Sequence, residues 1–191
     1  MNSKELSEKS ENKQGFYKKV IEALLFCAGR PLKIKEIAQI LNELPIEEIH
    51  RIIKELKVEY SDRGLRIVEV AGGYRVESIP EVATYIKKLI QPKGIKWTKP
   101  LLETLAVIAY FQPITRAEIS AKRGGVEVGS HLKTLLERKL IKIVGRKQIP
   151  GRPVLYGTTP FFLEYFGLNS LEDLPPLSEL EKMISEEVSS S

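Results

Sequence analysis

From Phe16 onward the apolar residues fall into helical stripes separated by helix breakers. Val20, Ile21, Leu24, Leu25 and Ala28 recur at the spacing of one helix face, which predicts an amphipathic helix. Gly29 stops it and Pro31 prevents its continuation. Ile34, Ile37, Ala38 and Leu41 predict a short second helix. Ile49, Ile52, Ile53, Leu56 and Tyr60 predict a third, opened by Pro45 and ended near Gly64. The period then changes. LRIVEVAGGYRVES alternates on both sides of Ala71-Gly72-Gly73, the pattern of a β-hairpin with a tight turn. A closing helix is expected from Glu81 to Ile90.

The second half runs through the same order. Thr98 is placed to cap a helix whose stripe is Leu101, Leu102, Leu105, Ile108 and Ala109, and Phe111-Gln112-Pro113 ends it. Thr115 to Glu118 has the spacing of a capping box, in which hydroxyl and carboxylate each satisfy a backbone N–H that the helix leaves unpaired. Arg123-Gly124-Gly125 supplies a turn. Leu132, Leu135, Leu136 and Leu140 form the next stripe. Ile141 to Val144 alternates like a strand, breaks at Gly145 and Pro150-Gly151, and resumes as Val154-Leu155-Tyr156. Gly145 and Gly151 are expected to supply positive φ at the bends, and Pro153 to stiffen entry to the second strand at a sheet edge. PFFLEYFG then predicts a short apolar helix.

The two halves repeat one another. Pro31-Leu32 and Glu36-Ile37 match Pro113-Ile114 and Glu118-Ile119, at an offset of about 82 residues. Ile49, Ile52 and Ile53 match Leu132, Leu135 and Leu136 at equal internal spacing. Helix, turn, helix and hairpin, twice over, predict a mostly α protein with small β-hairpins (α+β) built as two tandem winged-helix domains. The expected boundaries are a disordered N-terminus at 1–15, a first winged helix at 16–90, a linker at 91–97, a second winged helix at 98–168 and an acidic tail at 169–191. Trp97 is expected to cover one end of the second domain. Ser170 to Asp173 is placed to cap one helical turn before Pro175-Pro176. Leu180, Met183, Ile184 and Val188 have the spacing of a short amphipathic helix.

Charge divides the chain more sharply than hydrophobicity does. Residues 98–168 carry 11 basic and five acidic side chains, net +6, whereas residues 169–191 carry one Lys and six acids, net −5. A basic second half suits nucleic acid or an acidic protein partner. The polar start has no apolar core of the secretory type, no apolar run approaches the roughly 20 residues of a membrane span, and the single Cys27 cannot form an internal disulfide. A cytoplasmic protein without a membrane is the expectation. Cys27 reads as a small buried hydrophobe.

Neither catalysis nor a cofactor is expected. His50 and His131 sit on polar helix faces, with no Cys/His/Asp cluster at metal spacing. Gly124, Gly125 and Gly129 lack the preceding strand that a dinucleotide fingerprint requires. A DNA-binding transcriptional regulator is the alternative that a winged helix raises, since such domains read bases from the start of the third helix. Here those positions hold Glu47 and Glu48 in the first unit and Glu127 in the second, and carboxylates repel phosphates. The cations Arg146, Lys147 and Arg152 lie in the wing instead, with Lys133, Arg138 and Lys139 adding to a basic face. They suit weak, nonspecific DNA contact.

Several ordered stretches resemble the segregation and condensation protein B family. They are IEALLFCAG (21–29) with Pro31-Leu32, EVAGGYRVES (69–78), LLETLAVIAYFQPITRAEI (101–119), HLKTLLERKLIKIVGRKQIPGRPVLYGTT (131–159) and FLEYFGLNSLEDLPPL (162–177), nearly all of 16–177. The resemblance implies a tandem winged-helix homodimer, formed largely through the first domain, with interface residues within 16–80. It implies binding to the central segment of the kleisin, segregation and condensation protein A, which bridges the SMC ATPase heads. Chromosome condensation and partition at the nucleoid follow, with no activity of its own. Carried onto this chain, kleisin contacts fall on Tyr110, Gln112, Pro113, Arg116, Arg146, Lys147, Pro150, Gly151, Arg152 and Tyr156. The sequence departs from the family pattern at Arg30, where an acid is common, and in the turn Gly124–Ser130.

Overall fold

A computed structural model describes residues 3–89, 97–176 and 179, with side chains from Lys13 onward. The chain divides into two compact units, Met1–Pro92 and Lys93–Ser191. The linker segment before Trp97 and the amphipathic run after Glu179 lie outside the described residues.

The first unit runs α1 (Ser3–Cys27), α2 (Ile34–Ile40), α3 (Ile46–Glu59), β1 (Leu65–Val70) and β2 (Gly73–Ser78). A 3-10 turn at Pro80–Val82 then leads into α4 (Ala83–Leu89). Ile21, Leu25, Ile37, Ile49, Ile52, Ile53 and Leu56 form its core, as the stripes require. Burying each such side chain contributes on the order of 1.5–3 kcal/mol. Helix α1 begins at Ser3, so residues 3–15, expected to be disordered, are helical. Its Lys and Glu residues are good helix formers, and the apolar face from Tyr17 onward anchors the helix that they extend. Cys27 corrects another expectation. It is exposed, because Leu24, Leu25 and Ala28 take the inward positions and leave Phe26 and Cys27 outside.

Strands β1 and β2 pair antiparallel from Leu65↔Ser78 to Val70↔Gly73. Ala71 and Gly72 make the turn at φ 52° and 69°, the left-handed pair that a two-residue hairpin needs. Gly73 is glycine for a different reason. Leu32 and Tyr74 exchange two backbone hydrogen bonds of 2.8 Å. A Cβ on Gly73 would stand 2.9 Å from both the carbonyl carbon and the oxygen of Leu32.

The second unit runs α5 (Lys99–Phe111), β3 (Ile114–Thr115), α6 (Arg116–Lys122), α7 (Gly129–Glu137), β4 (Ile141–Arg146), β5 (Val154–Thr158) and α8 (Pro160–Phe166), closed by a 3-10 turn at Leu171–Asp173. Leu101, Leu105, Ile108, Ile119, Leu132, Leu135, Leu140, Ile141 and Phe162 pack its core. Thr98 caps α5 and Thr115 caps α6 with Glu118, as their spacing predicts. Trp97 packs edge-on against Tyr165 and tilted against Phe166 and donates its indole N–H to Tyr165 at 3.0 Å, covering the end of this unit.

The wing departs from expectation in three ways. It belongs to a three-stranded sheet of order β3-β5-β4, because the short segment after Pro113 adds a strand too brief to show a period. Gly145 does not bend the chain through positive φ. Strand β4 passes it with a bulge at Val144 and continues to Arg146. Strand β5 is central, so Pro153 enters the middle strand rather than an edge, and its carbonyl accepts the Lys147 amide at 2.9 Å. Gly151 does take φ 82°, in the turn where the Arg152 amide donates to the Ile149 carbonyl.

The close approach at Gly73 gives a direct test. Gly73→Ala should destabilise the first unit by about 1–3 kcal/mol, because backbone cannot retreat as a side chain can. Gly64→Ala, where nothing lies within 4 Å, should leave the urea midpoint near wild type. Equal midpoints for the two variants would refute the contact.

Candidate functional site

The ten residues singled out from sequence all lie in the second unit, where the end of α5, the start of α6 and the wing converge. The convergence is covalently simple. Pro113, joined to Gln112 by a cis peptide, turns the chain into β3, and β3 pairs with β5 through Ile114↔Tyr156 and Thr115↔Leu155. Gln112 locks the joint. Its Nε2 donates to the Ala109 carbonyl at 3.1 Å and to Thr158 Oγ1 at 3.0 Å, and its Oε1 accepts the Thr158 amide at 2.7 Å. A Cβ on Gly157 would stand 2.8 Å from that Oε1 and 3.0 Å from Val144 Cγ1. The absence of a side chain there lets α5 and β4 meet across β5.

Four of the ten therefore belong to the scaffold. Gln112 is the clamp just described. Tyr156 is 9% exposed and packs in the core, which corrects its reading as a surface anchor. Its position in the central strand, facing Ile114, turns the ring inward. Tyr110 is half-buried, and its hydroxyl donates to the carbonyl of Pro175. Burial holds that phenol above its ordinary value. Lys147 pairs with Glu118, the capping carboxylate of α6. That carboxylate also accepts the Thr115 amide at 2.9 Å and the Thr115 hydroxyl at 2.8 Å. The Lys147 ammonium first, and the Thr115 donors second, hold Glu118 at about 2, against an ordinary 4.5.

The remaining six face solvent. Pro113 is exposed beside β3. Arg116 opens α6 and pairs with Glu127 at 2.6 Å, which lowers the Glu127 titration. Arg146 donates to the Arg152 carbonyl at 3.2 Å, so its guanidinium shapes the wing while one face stays in water. Pro150, Gly151 and Arg152 form the exposed tip. Among the described residues neither Arg146 nor Arg152 forms an ion pair.

Two features escaped sequence reasoning. The first is apolar: Ile143, Val144 and Ile149 are exposed on the wing between the cations. Ile143 is exposed although it pairs regularly with Tyr156, in the same phase as the buried Ile141, and the bulge follows it at Val144. The second is a polar cluster between α5, α6 and α7. Arg123, whose side chain is 8% exposed, donates to Glu103 at 2.6 Å and to Thr104 Oγ1 at 2.8 Å, with His131 Nδ1 3.3 Å from the same hydroxyl. His131 thus takes part in a helix junction and does not simply face solvent. A turn arginine beside two glycines gave no signal of this. In the first unit Phe16, Phe26, Ile40 and Val58 are exposed, with Phe26 at 70% and Val58 at 68%.

Among the described residues no group of three or more His, Cys, Asp or Glu could hold a metal ion, and no helix is long and apolar enough to cross a membrane. The arrangement is a rigid joint carrying a basic and apolar loop, with the helices, β-hairpin and wing of a winged-helix domain. The model of the family "Segregation and condensation complex subunit ScpB" matches residues 19–177, and the chain belongs to that family. Segregation and condensation protein B of Symbiobacterium thermophilum is 49% identical over 161 residues, 84% of this chain and 73% of the relative. That of Geobacillus kaustophilus is 45% identical over 183 residues, 94% of this chain and 83% of the relative. A solved dimer of the ScpB N-terminal domain complexed with ScpA peptide is 37% identical, covers 38% of this chain and 93% of its own, and has a TM-score of 0.36.

The Glu118–Lys147 pair predicts a pH signature. A carboxyl whose folded value lies below its unfolded one contributes stability above about 4.5, and that contribution is lost as pH falls toward about 2. Carbon-detected NMR should place the Glu118 midpoint near 2 and move it up toward the ordinary range in Lys147→Met. An unmoved midpoint would mean that the wing lysine does not hold the cap.

Proposed function

We propose that this chain is the non-enzymatic, homodimeric adaptor of a prokaryotic SMC–kleisin complex. It binds the kleisin subunit, segregation and condensation protein A, and through it reaches the SMC ATPase heads, in support of chromosome condensation and partition at the nucleoid. The observation that carries this reading is the family match across residues 19–177, which spans both units and the wing. The geometry supports the same division of labour. The first unit exposes Phe16, Phe26, Ile40 and Val58, and exposed large apolar groups are what a self-association face needs. The second unit holds out Pro113, Arg116 and the wing from a joint fixed by Gln112.

Affinity in such a contact comes from burying apolar side chains of the kleisin against Ile143, Val144 and Ile149. Arg146 and Arg152 then favour acidic segments and speed encounter. Gln112, Lys147 and Tyr156 act indirectly, by holding the wing where it stands, and Tyr110 by holding the chain at Pro175. Sequence-specific DNA reading has less support. Glu48 opens α3 and pairs with Arg51, and Glu127, just before α7, pairs with Arg116, so both recognition-helix entrances present carboxylates. DNA would touch the wing only through nonspecific phosphate contact.

Three outcomes are expected in light scattering during gel filtration. The protein alone runs as a dimer, and addition of the host's segregation and condensation protein A shifts it to a larger stable complex. Phe26→Asp with Val58→Asp runs as a folded monomer. Arg146→Glu with Arg152→Glu remains a dimer but binds the kleisin roughly tenfold or more weakly. A monomer indifferent to the kleisin would sink the proposal, and unchanged affinity in the wing variant would remove the wing from it.

A further inference from the structure

The outer strand of the wing has a free edge. Strands β3 and β4 flank β5, and among the described residues no strand pairs with the far side of β4. Opposed residues in an antiparallel ladder alternate between pairs that exchange backbone hydrogen bonds and pairs that do not. The phase on β4 is fixed at both ends. The Leu140 carbonyl accepts the Thr159 amide at 3.1 Å, and the Lys147 amide donates to the Pro153 carbonyl at 2.9 Å. Opposite Ile141, the Thr158 amide turns away from β4 and donates to Gln112 Oε1 at 2.7 Å. Lys142 and Gly145 therefore bond across to Gly157 and Leu155, while the peptide N–H and C=O of Ile143 and Arg146 point outward from the sheet.

The equivalent strand of the first unit carries different side chains. Glu69 lies opposite Tyr74 as Ile143 lies opposite Tyr156. Glu69 accepts the Tyr74 hydroxyl at 3.2 Å, and Arg66 pairs with Glu77 at 2.7 Å, so those charges have partners. On β4 the edge bears Ile143 and Val144, 55% and 46% exposed, between the exposed Lys142 and Arg146. Among the described residues neither cation forms an ion pair with a carboxylate. Ile143 shares the sheet face of Tyr156, and Val144 the face of Gln112, so apolar surface flanks the edge on both sides.

We infer that this edge takes a short extended segment of the kleisin by strand addition. The inference rests on the adaptor reading and specifies how that partner is held. Backbone hydrogen bonds to Ile143 and Arg146 set the register, and alternate side chains of the added strand set the specificity. One of these lies opposite Ile143 and is apolar. Its neighbour in the chain falls on the other face, opposite Lys142, and is acidic, and a second acid meets Arg146. Charged residues and a bulge on an edge also discourage chance pairing. Here the same residues select: an apolar strand would leave both cations unpaired, whereas an acidic one satisfies them. Phosphate contact with DNA makes no use of the outward peptide groups, so the two kinds of partner are separable.

Single-amide hydrogen–deuterium exchange on the intact protein, with and without the host's segregation and condensation protein A, tests this. The Ile143 and Arg146 amides should exchange freely in the protein alone and slow by about tenfold or more in the complex. Lys142 and Gly145, already bonded to β5, should be protected in both. A complex that forms while Ile143 and Arg146 still exchange freely overturns strand addition and leaves the adaptor reading intact. Absence of any complex removes both. Protection already present in the protein alone means that the edge is covered before the kleisin arrives, and overturns the proposal too. A second readout is Ile143→Pro, which removes an outward N–H without breaking a bond to β5, as sheet edges allow. It should bind the kleisin about fivefold more weakly than Ile143→Ala, which keeps that N–H. Equal affinities of the two folded variants overturn the backbone bond. Should the proline variant not fold, exchange in the wild-type protein decides the matter by itself.

Discussion

One pairing organises each unit. After the first helix of the motif, a short extended segment must return to the strand that comes back from the hairpin. In the first unit this is Leu32 against Tyr74, and in the second Ile114 against Tyr156. The two pairs stand at the same offset of about 82 residues that relates the sequence halves. Everything distal depends on them. Without the pairing the hairpin would be two isolated strands, which are marginal in water, and the wing would have no fixed direction. The residues around each pair are chosen to permit it. Gly73 gives up its side chain to the Leu32 backbone, and Gly157 gives up its own to Gln112 and Val144.

The same pairing explains what was legible in the sequence and what was not. Helix stripes read correctly because burial imposes a period of 3.6 on long segments, and Ile21, Ile37, Ile49, Ile108 and Leu135 are buried accordingly. Caps read correctly because Thr98 and Thr115 satisfy local donors within four residues. Strand β3 was invisible: two residues cannot display an alternation. Tyr156 was misjudged because its neighbours in sequence are wing residues, whereas its neighbours in space are core residues. The bulge at Val144 was equally invisible, because an extra residue in one strand shows only against its partner strand.

The candidate site was legible as a region but not as a set of roles. Local sequence distinguishes a cation from an apolar residue. It does not say whether that cation already has a partner thirty residues away. Lys147 and Arg146 are adjacent in sequence, yet one is spent on Glu118 and the other keeps a face in water. Only the fold separates the residue that holds the wing from the one that the wing offers.

The duplicated capping carboxylates show how this difference arises. Glu36 and Glu118 occupy equivalent positions, and each accepts the backbone amide of its helix cap, Lys33 in one case and Thr115 in the other. Each also recruits a cation, with the nearer one setting the downward shift of its titration. In the first unit that cation is Arg30, six residues before in the chain, so the ion pair stays local to the helix entrance. In the second it is Lys147, carried in by the wing, so the same carboxylate ties the loop to the helix that supports it. A hairpin restrained at the start of its loop by Lys147 and at its joint by Gln112 has less freedom left to lose than an untethered one. The first unit has a hairpin turn of only two residues, Ala71 and Gly72, and no comparable loop to hold out. Its exposed apolar groups lie on helices instead. The repeat therefore yields two different surfaces from one scaffold: exposed apolar groups on the helices of the first unit, and a tethered basic loop in the second.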